Sequence, residues 1–374
     1  MFADSGRGCN VAFQWKKRKN LGIVPSRYRA ILPLEYVFQM ARWHDPQSLD
    51  SSEVRLIPIL YYTDHHHFPL PEGHRFPVTK YRRIRELLES TGLFDLRPAP
   101  LAEASQVEVA HDPDYVRQFI EGTLPRETMR RIGFPWSEGL VRRTLASVGA
   151  TLAASEQALT TGFGGTLAGG THHAFRAEGA GYCVFNDIAI AIESLRKQGK
   201  ASRLAVIDLD VHQGDGTAQM FENDPDVLTF SMHGGKNFPF RKQRSKIDIE
   251  LEDGTEDGIY LEKLASALLA VREFQPEFVF YQAGVDPLDS DRLGRLSLTM
   301  NGLRERDRMV FELVGRQGWP VVVTLGGGYS EPITRTAEAH AQTFRMAVEV
   351  LDHSRTHGED RAGLAAKDLN LENR

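Results

Sequence analysis

The chain has 374 residues, of which 41% are hydrophobic and 25% charged, with a net charge of -5. These are ordinary values for a water-soluble globular protein, and they give no sign of a basic footprint for direct nucleic-acid binding. Two cysteines, Cys9 and Cys183, exclude a disulfide framework and suit a reducing, cytoplasmic setting. No apolar run approaches the roughly 18 residues that a membrane span requires.

Residues 1–53 read as an appended, poorly ordered arm. Lys16, Lys17, Arg18 and Lys19 form a solvated basic run with no signal-peptide core behind it. Residues 34–43 suit one short amphipathic helix. From residue 54 onward apolar strand-like runs alternate with helical patterns. In chain order the patterns predict a strand at 54–61, helices at 77–89, 113–121, 138–159 and 187–197, and strands at 204–210 and 227–231. A helix at 257–274, a strand at 278–283, a helix at 300–316, a strand at 321–325 and a helix at 337–351 follow. Residues 353–374 read as a polar tail. The strands are mostly continuous in apolar character, as a parallel sheet buried on both faces requires. The alternation predicts one three-layer α/β domain over residues 54–352.

The stretch Ala205-Val-Ile-Asp208-Leu-Asp210-Val-His212-Gln-Gly-Asp215-Gly216 carries the strongest chemical signal. An apolar strand ends in metal-capable side chains at alternate positions, which share one face. Cα atoms two apart in a strand are about 6.6 Å from each other, and four apart about 13 Å. Asp210 and His212 can therefore reach one ion, while Asp208 is left to support a histidine from elsewhere. Asp286, after the apolar run ending Gln282-Ala-Gly-Val, is the natural third ligand, with Asp289 and Asp291 as nearby competitors. Two carboxylates and one imidazole leave a coordination position open, the mark of catalytic zinc, although such a set also admits Fe(II).

Two further motifs end at the same sheet edge, where open α/β sheets bind ligands. His172 and His173 lie in the glycine-rich loop Ala168-Gly-Gly-Thr-His-His-Ala. Adjacent histidines do not easily share one ion, but they can act as acid–base groups beside a metal, each oriented by a carboxylate. Asp208 and Asp215 are the two spare acids. Gly326-Gly-Gly-Tyr329 presents a phenol at a strand end, where it can donate to a developing oxyanion. Together these parts describe hydrolysis of an amide.

These motifs resemble the histone deacetylase superfamily over roughly residues 55–350. The matching stretches are Gly169-Gly-Thr-His-His-Ala, Gly179-Ala-Gly-Tyr-Cys-Val-Phe-Asn-Asp187, Ile207-Asp-Leu-Asp-Val-His-Gln-Gly-Asp-Gly216, Ala283-Gly-Val-Asp286 and Leu325-Gly-Gly-Gly-Tyr329. The resemblance implies an arginase-like fold with zinc on Asp210, His212 and Asp286. It implies His172 paired with Asp208, and His173 paired with Asp215 as the general base and acid. Tyr329 would bind the substrate carbonyl, and Gly181, Tyr182 and Phe238 would line the acyl tunnel. A structural potassium ion held by the Asp208–His212 segment and Ser231 is also implied. Gln213, Asp289-Ser-Asp-Arg-Leu-Gly294 and Asp253-Gly-Thr-Glu-Asp257 are similar to the class IV branch and its bacterial relatives, which include enzymes removing long fatty acyl groups.

The expected activity is hydrolysis of acyl-lysine, from acetyl upward. The nearest alternative is an amidohydrolase for acetylpolyamines or other small amides on the same scaffold. A catalytically silent acyl-lysine-binding subunit is the non-enzymatic alternative, and it would have no need to retain the ligands, both His–Asp pairs and Tyr329. A binuclear manganese site would need more carboxylates and histidines than the motifs supply.

Overall fold

Eight strands line up in one sheet: β1 (Ile59–Tyr62), β2 (Asp95–Pro98), β3 (Phe163–Thr166), β4 (Leu204–Asp208), β5 (Val227–Gly234), β6 (Ile247–Leu251), β7 (Phe278–Gln282) and β8 (Val321–Thr324). This computed structural model describes residues 57–371, with side chains over 57–352. The arm over 1–53, the helix over 34–43 and the first residues of the strand over 54–61 lie outside the described residues. The strand order is β2-β1-β3-β8-β7-β4-β5-β6, and every neighbouring pair is parallel.

The continuous apolar character of the central strands has a direct cause. Along β4 and β7, Ala205, Ile207, Val279 and Tyr281 enter one core, while Leu204, Val206, Phe278 and Phe280 enter the core on the opposite face. Alternate side chains leave opposite faces, so a strand sandwiched between two cores is apolar at every position. The first core is closed by helices Thr79–Glu89, Asp257–Phe274 and Met300–Gln317; the second by Pro113–Glu121, Glu138–Thr161 and Asp187–Lys197. The result is the expected three-layer α/β architecture.

Helix ends follow local chemistry. The helix Pro113–Glu121 starts at Asp112, whose carboxylate accepts from the N–H groups of Asp114 and Tyr115, and stops at left-handed Gly122. Asn186 caps Asp187–Lys197 through the N–H of Ala189. The helix expected over 337–351 runs Ile333–Leu371, so the backbone of the stretch read as a polar tail is largely helical. No described helix is long and apolar enough to cross a membrane.

Three strands are absent from the sequence-based expectation. β2 and β6 are sheet edges with half-exposed residues. β3, by contrast, is central and fully buried, but its sequence is Phe-Gly-Gly-Thr. A Cβ on Gly164 would run into the carbonyl oxygen of Ala154 on the helix Glu138–Thr161, and one on Gly165 would meet Leu60 and Phe344. The glycines let helices approach the sheet on both sides. Gly164→Ala is expected to destabilise the fold by about 1–3 kcal/mol through overpacking. Urea denaturation reads this directly, and an unchanged midpoint would show that the helix is free to move away.

The topology positions the chemistry. The chain passes from β3 to β4 across β8 and β7. The carboxyl ends of β3, β8, β7, β4 and β5 are therefore adjacent, and the loops after them converge on one rim, as expected for a switch point in an open sheet.

Candidate active site

β4 ends earlier than its apolar pattern suggests. The strand expected over 204–210 stops at Asp208, and the acidic residues themselves fold the chain. Asp208 Oδ1 accepts from the N–H of Asp210 at 3.2 Å, and Asp210 Oδ1 accepts from the N–H of His212 at 2.9 Å. Such short side-chain bonds two residues onward compete with the ladder and build tight turns. Asp210 and His212 thus sit in a turn rather than at alternating strand positions.

His212 Nδ1 lies 3.0 Å from Asp210 Oδ1 and 3.1 Å from Asp286 Oδ2. The three side chains each offer one ligand atom within 4.8 Å of the others. Asp286 Oδ1 accepts from the N–H of Val211 at 2.9 Å, and Asp210 Oδ2 from the N–H of Gly327 at 2.7 Å. Each carboxylate is thereby anchored by its second oxygen or by backbone, while one oxygen faces the imidazole. Burial and the neighbouring Asp210 push the Asp286 carboxyl up to about 7. Two carboxylates held this close in a buried place call for a cation, and the mixed oxygen and nitrogen donor set fits a divalent ion. Asp289 and Asp291 do not join this group. Asp289 pairs with Arg335 at 3.2 Å on the surface. Asp291 accepts from the N–H groups of Leu293, Gly294 and Tyr329 and so ties down the glycine turn.

The two histidines are paired separately. His172 Nδ1 is 2.7 Å from Asp208 Oδ2, and His173 Nδ1 is 2.6 Å from Asp215 Oδ1, with the two rings 4.1 Å apart. Both Nε2 atoms are thereby left for other work. Burial works against a charge on His172, but Asp208 and Asp210 outweigh it and raise its pKa to about 9. For His173, burial and the adjacent His172 lower the pKa to about 4 despite Asp215. The ring of His173 is therefore neutral at pH 7.

Neighbouring elements hold this loop. Asp187 accepts from the N–H groups of Gly170 and Thr171 and from the hydroxyls of Thr171 and Thr151. Gln282, at the end of β7, donates to the Gly170 carbonyl at 2.8 Å. Tyr329 emerges from the glycine turn. A Cβ on Gly327 would overlap Asp286 and approach Asp210, so only glycine lets the turn pass so near the carboxylates. Burial raises the Tyr329 phenol well above its ordinary value, and it stays protonated.

Gly181 and Tyr182 both have positive φ, at 54° and 67°. A Cβ on Gly181 would press on His173 and Phe238. The Tyr182 ring packs on Phe76 and Phe134 and lies 6.3 Å from that of Tyr329. A cavity of about 90 Å³ is lined by His172, His173, Asp210, His212, Tyr329, Gly181 and Tyr182 among others. Phe238 stands outside that lining, edge-on against His173 with centroids 4.9 Å apart. Gln213 points away from the cavity, bonding Gln243 and Asp248 and so anchoring the loop after β5.

Sequence reasoning missed several polar residues around this centre. Asp187 ends a family-matching stretch in the sequence but is given no role there beyond the start of a helix. Lys80, 1% exposed, donates to the Gly326 carbonyl at 3.1 Å and lies 5.4 Å from the Tyr329 ring centroid. Arg143 lines the cavity. Arg306 donates to the carbonyls of Leu209 and Gly284, which precede the Asp210 and Asp286 turns. A mismatch between helical periodicity and these charges is the one signal that could have exposed them.

Residues 74–345 match the histone deacetylase domain family. An uncharacterized protein of Picosynechococcus is 43% identical over 297 residues, covering 78% of this chain and 99% of its own. Histone deacetylase 2 of Arabidopsis thaliana is 34% identical, over 70% of this chain and 71% of its own. The acetoin utilization protein AcuC of Bacillus subtilis is 30% identical, over 72% and 76%. Among solved structures, an acetylpolyamine aminohydrolase from Burkholderia pseudomallei aligns with a TM-score of 0.65 over 79% of this chain and 99% of its own, at 22% identity, and shares the fold. With its family match spanning most of the sheet and the whole rim, the chain belongs to the histone deacetylase superfamily.

Proposed function

We propose that this protein is a zinc-dependent deacylase that removes acetyl or longer acyl groups from lysine side chains. The observation that carries this reading is the convergence around one cavity of three ligand atoms, two separate His–carboxylate pairs and a protonated phenol. Asp210, His212 and Asp286 would hold the ion, and Fe(II) suits the same donors. A bound zinc ion supplies Lewis-acid polarisation of the amide carbonyl and lowers the pKa of a water molecule.

The chain's own groups do the rest. Neutral His173 takes a proton from the attacking water, with Asp215 fixing its ring and favouring the imidazolium that forms. Tyr329 donates its phenolic proton in a hydrogen bond to the oxygen that gains charge. His173 then returns the proton to the leaving amine. His172, held cationic by Asp208 and Asp210, contributes a fixed positive charge beside the reacting centre. Gly181 and Tyr182 guide the acyl-bearing side chain, and Phe238 presses His173 from the outside. A structural potassium ion beside the Asp208 turn belongs to the same reading, with Ser231 in register with Asp208 on β5.

Tyr329→Phe is expected to lower turnover on acetyl-lysine peptides by roughly 10²–10³, the usual cost of losing one oxyanion donor. An unchanged rate would remove Tyr329 from this role. Parallel assays with acetyl-lysine, myristoyl-lysine and acetylpolyamines test the substrate class. Preference for the polyamines would transfer the reading to a small-amide amidohydrolase. Zinc-loaded protein inert on all three would leave the silent-subunit alternative.

A further inference from the structure

The same cavity holds a cation that the deacylase reading does not use. Arg143 is 8% exposed and lines the cavity together with the metal-facing residues. Leu140, Arg143, Thr144, Ser147 and Val148 all line it, and their spacing places them on one face of the helix Glu138–Thr161. Ser147 fixes the inner wall to the histidine loop, since its hydroxyl accepts from the N–H of Gly169 at 3.0 Å. Arg143 lies one helical turn away, about 5–6 Å along the axis.

No ion pair answers this guanidinium, although Asp64 lies near enough to favour its charge. Among the described residues neither Arg143 nor Lys80 forms an ion pair. The nearby Asp64 is committed to Arg85, with which it makes bonds of 3.0 Å through both carboxylate oxygens. The partner of Arg143 is Tyr81, whose side chain favours its charge through a hydrogen bond and whose ring centroid lies 4.5 Å from the guanidinium carbon. Lys80 Nζ lies 5.3 Å from the centroid of the same ring. Two buried cations thus share one aromatic ring. A ring quadrupole offsets only part of the cost of a desolvated charge, so the charge of Arg143 is left incompletely compensated in the wall of the cavity that Asp210, His172 and His173 also line.

We propose that Arg143, with Tyr81 and Lys80 behind it, forms a carboxylate-binding subsite, and that it receives the terminal carboxylate of a short dicarboxylic acyl group such as succinyl or glutaryl on lysine. This rests on the deacylase reading and narrows its substrate class. The reaction is an ordinary hydrolysis. The amide C–N bond breaks, the water oxygen joins the carbonyl carbon, the amine leaves with a proton, and the freed acid carries two carboxylates. Acid–carboxylate recognition by a buried guanidinium is directional as well as electrostatic.

The test compares kcat/KM of the zinc-loaded full chain on succinyl- and butyryl-lysine peptides, whose acyl groups have equal carbon counts. Succinyl is expected to exceed butyryl by at least tenfold. Arg143→Gln is expected to reduce that ratio at least tenfold, with Arg143→Lys retaining part of it. A ratio at or below one in the wild type, or equal losses on both peptides in Arg143→Gln, would overturn the subsite. Acetate inhibition that depends on Arg143, without succinyl preference, would mean that the subsite takes the product carboxylate, and would equally overturn the substrate assignment. Calorimetric titration with succinate and butyrate decides the matter without turnover. Succinate is expected to bind at least tenfold tighter, and the advantage to vanish in Arg143→Gln; equal affinities would refute the subsite. Failure to cleave any acyl-lysine would instead remove the deacylase reading.

Discussion

Chelation of the purified protein is expected to remove about one divalent ion per chain and to abolish acyl-lysine hydrolysis, with zinc restoring it. The reason lies in the electrostatics of the rim. Asp210 and Asp286 are buried, with one oxygen of each about 3 Å from the same imidazole nitrogen. Without an ion, burial and the neighbouring Asp210 push the Asp286 carboxyl up to about 7, although His212, itself raised to about 10 by the two carboxylates, works against that rise. Asp210, Asp286 and His212 would hold an ion here through two carboxylates and one imidazole, a donor set that suits catalytic divalent ions. Binding is also coupled to the fold, because the ligands come from turns after two different strands, β4 and β7. A ligand present at 100 times its Kd adds about 2.7 kcal/mol of stability, so the melting temperature is expected to fall on chelation and recover with zinc. Full activity in metal-free protein would sink the mechanism. Full activity restored by Fe(II) alone would keep the mechanism and change the ion.

The same residues show what a sequence can reveal. Asp208, Asp210 and His212 were legible because three polar groups interrupt an apolar strand, a pattern with a high physical cost unless it is used. The expected separation is also seen in the contacts, with Asp208 against His172 and Asp210 beside His212 and Asp286, although the geometry behind it differs. The assignment rests on strand spacing, whereas the chain actually bends after Asp208 through two side-chain bonds to backbone. The central strands β4, β5, β7 and β8 announce themselves because both of their faces are buried. β3 does not, since its glycines carry no strand preference and owe their presence to close helix approach. The cations around the cavity were hidden for a different reason. Glu138–Thr161 is buried around much of its circumference, with Ala146, Gly149 and Ala150 on other sides from Arg143 and Ser147, so its pattern marks no single inner face and a lone arginine looks like a solvated position. Only the fold reveals that it faces a cavity and not water.

His173→Ala is expected to lower kcat on acetyl-lysine by about 10²–10⁴, the range typical of a lost general acid–base group, while leaving zinc content near one per chain. The argument turns on the difference between two adjacent histidines. Both are buried and both have a carboxylate on Nδ1, so neither sequence nor simple pairing distinguishes them. Their surroundings do. His172 faces Asp208 and, 4.0 Å from its Nε2, Asp210, and these charges hold its proton. For His173, burial and the charge of His172 outweigh Asp215, so its proton is absent and Nε2 is available to accept one. A group that is to take a proton from water and return it to an amine must begin empty, which selects His173. His172→Ala is then expected to cost less, because it removes a fixed charge and not the proton carrier. If His173→Ala retained full activity while His172→Ala abolished it, the proton would travel through His172, and the roles assigned to Asp208 and Asp215 would exchange.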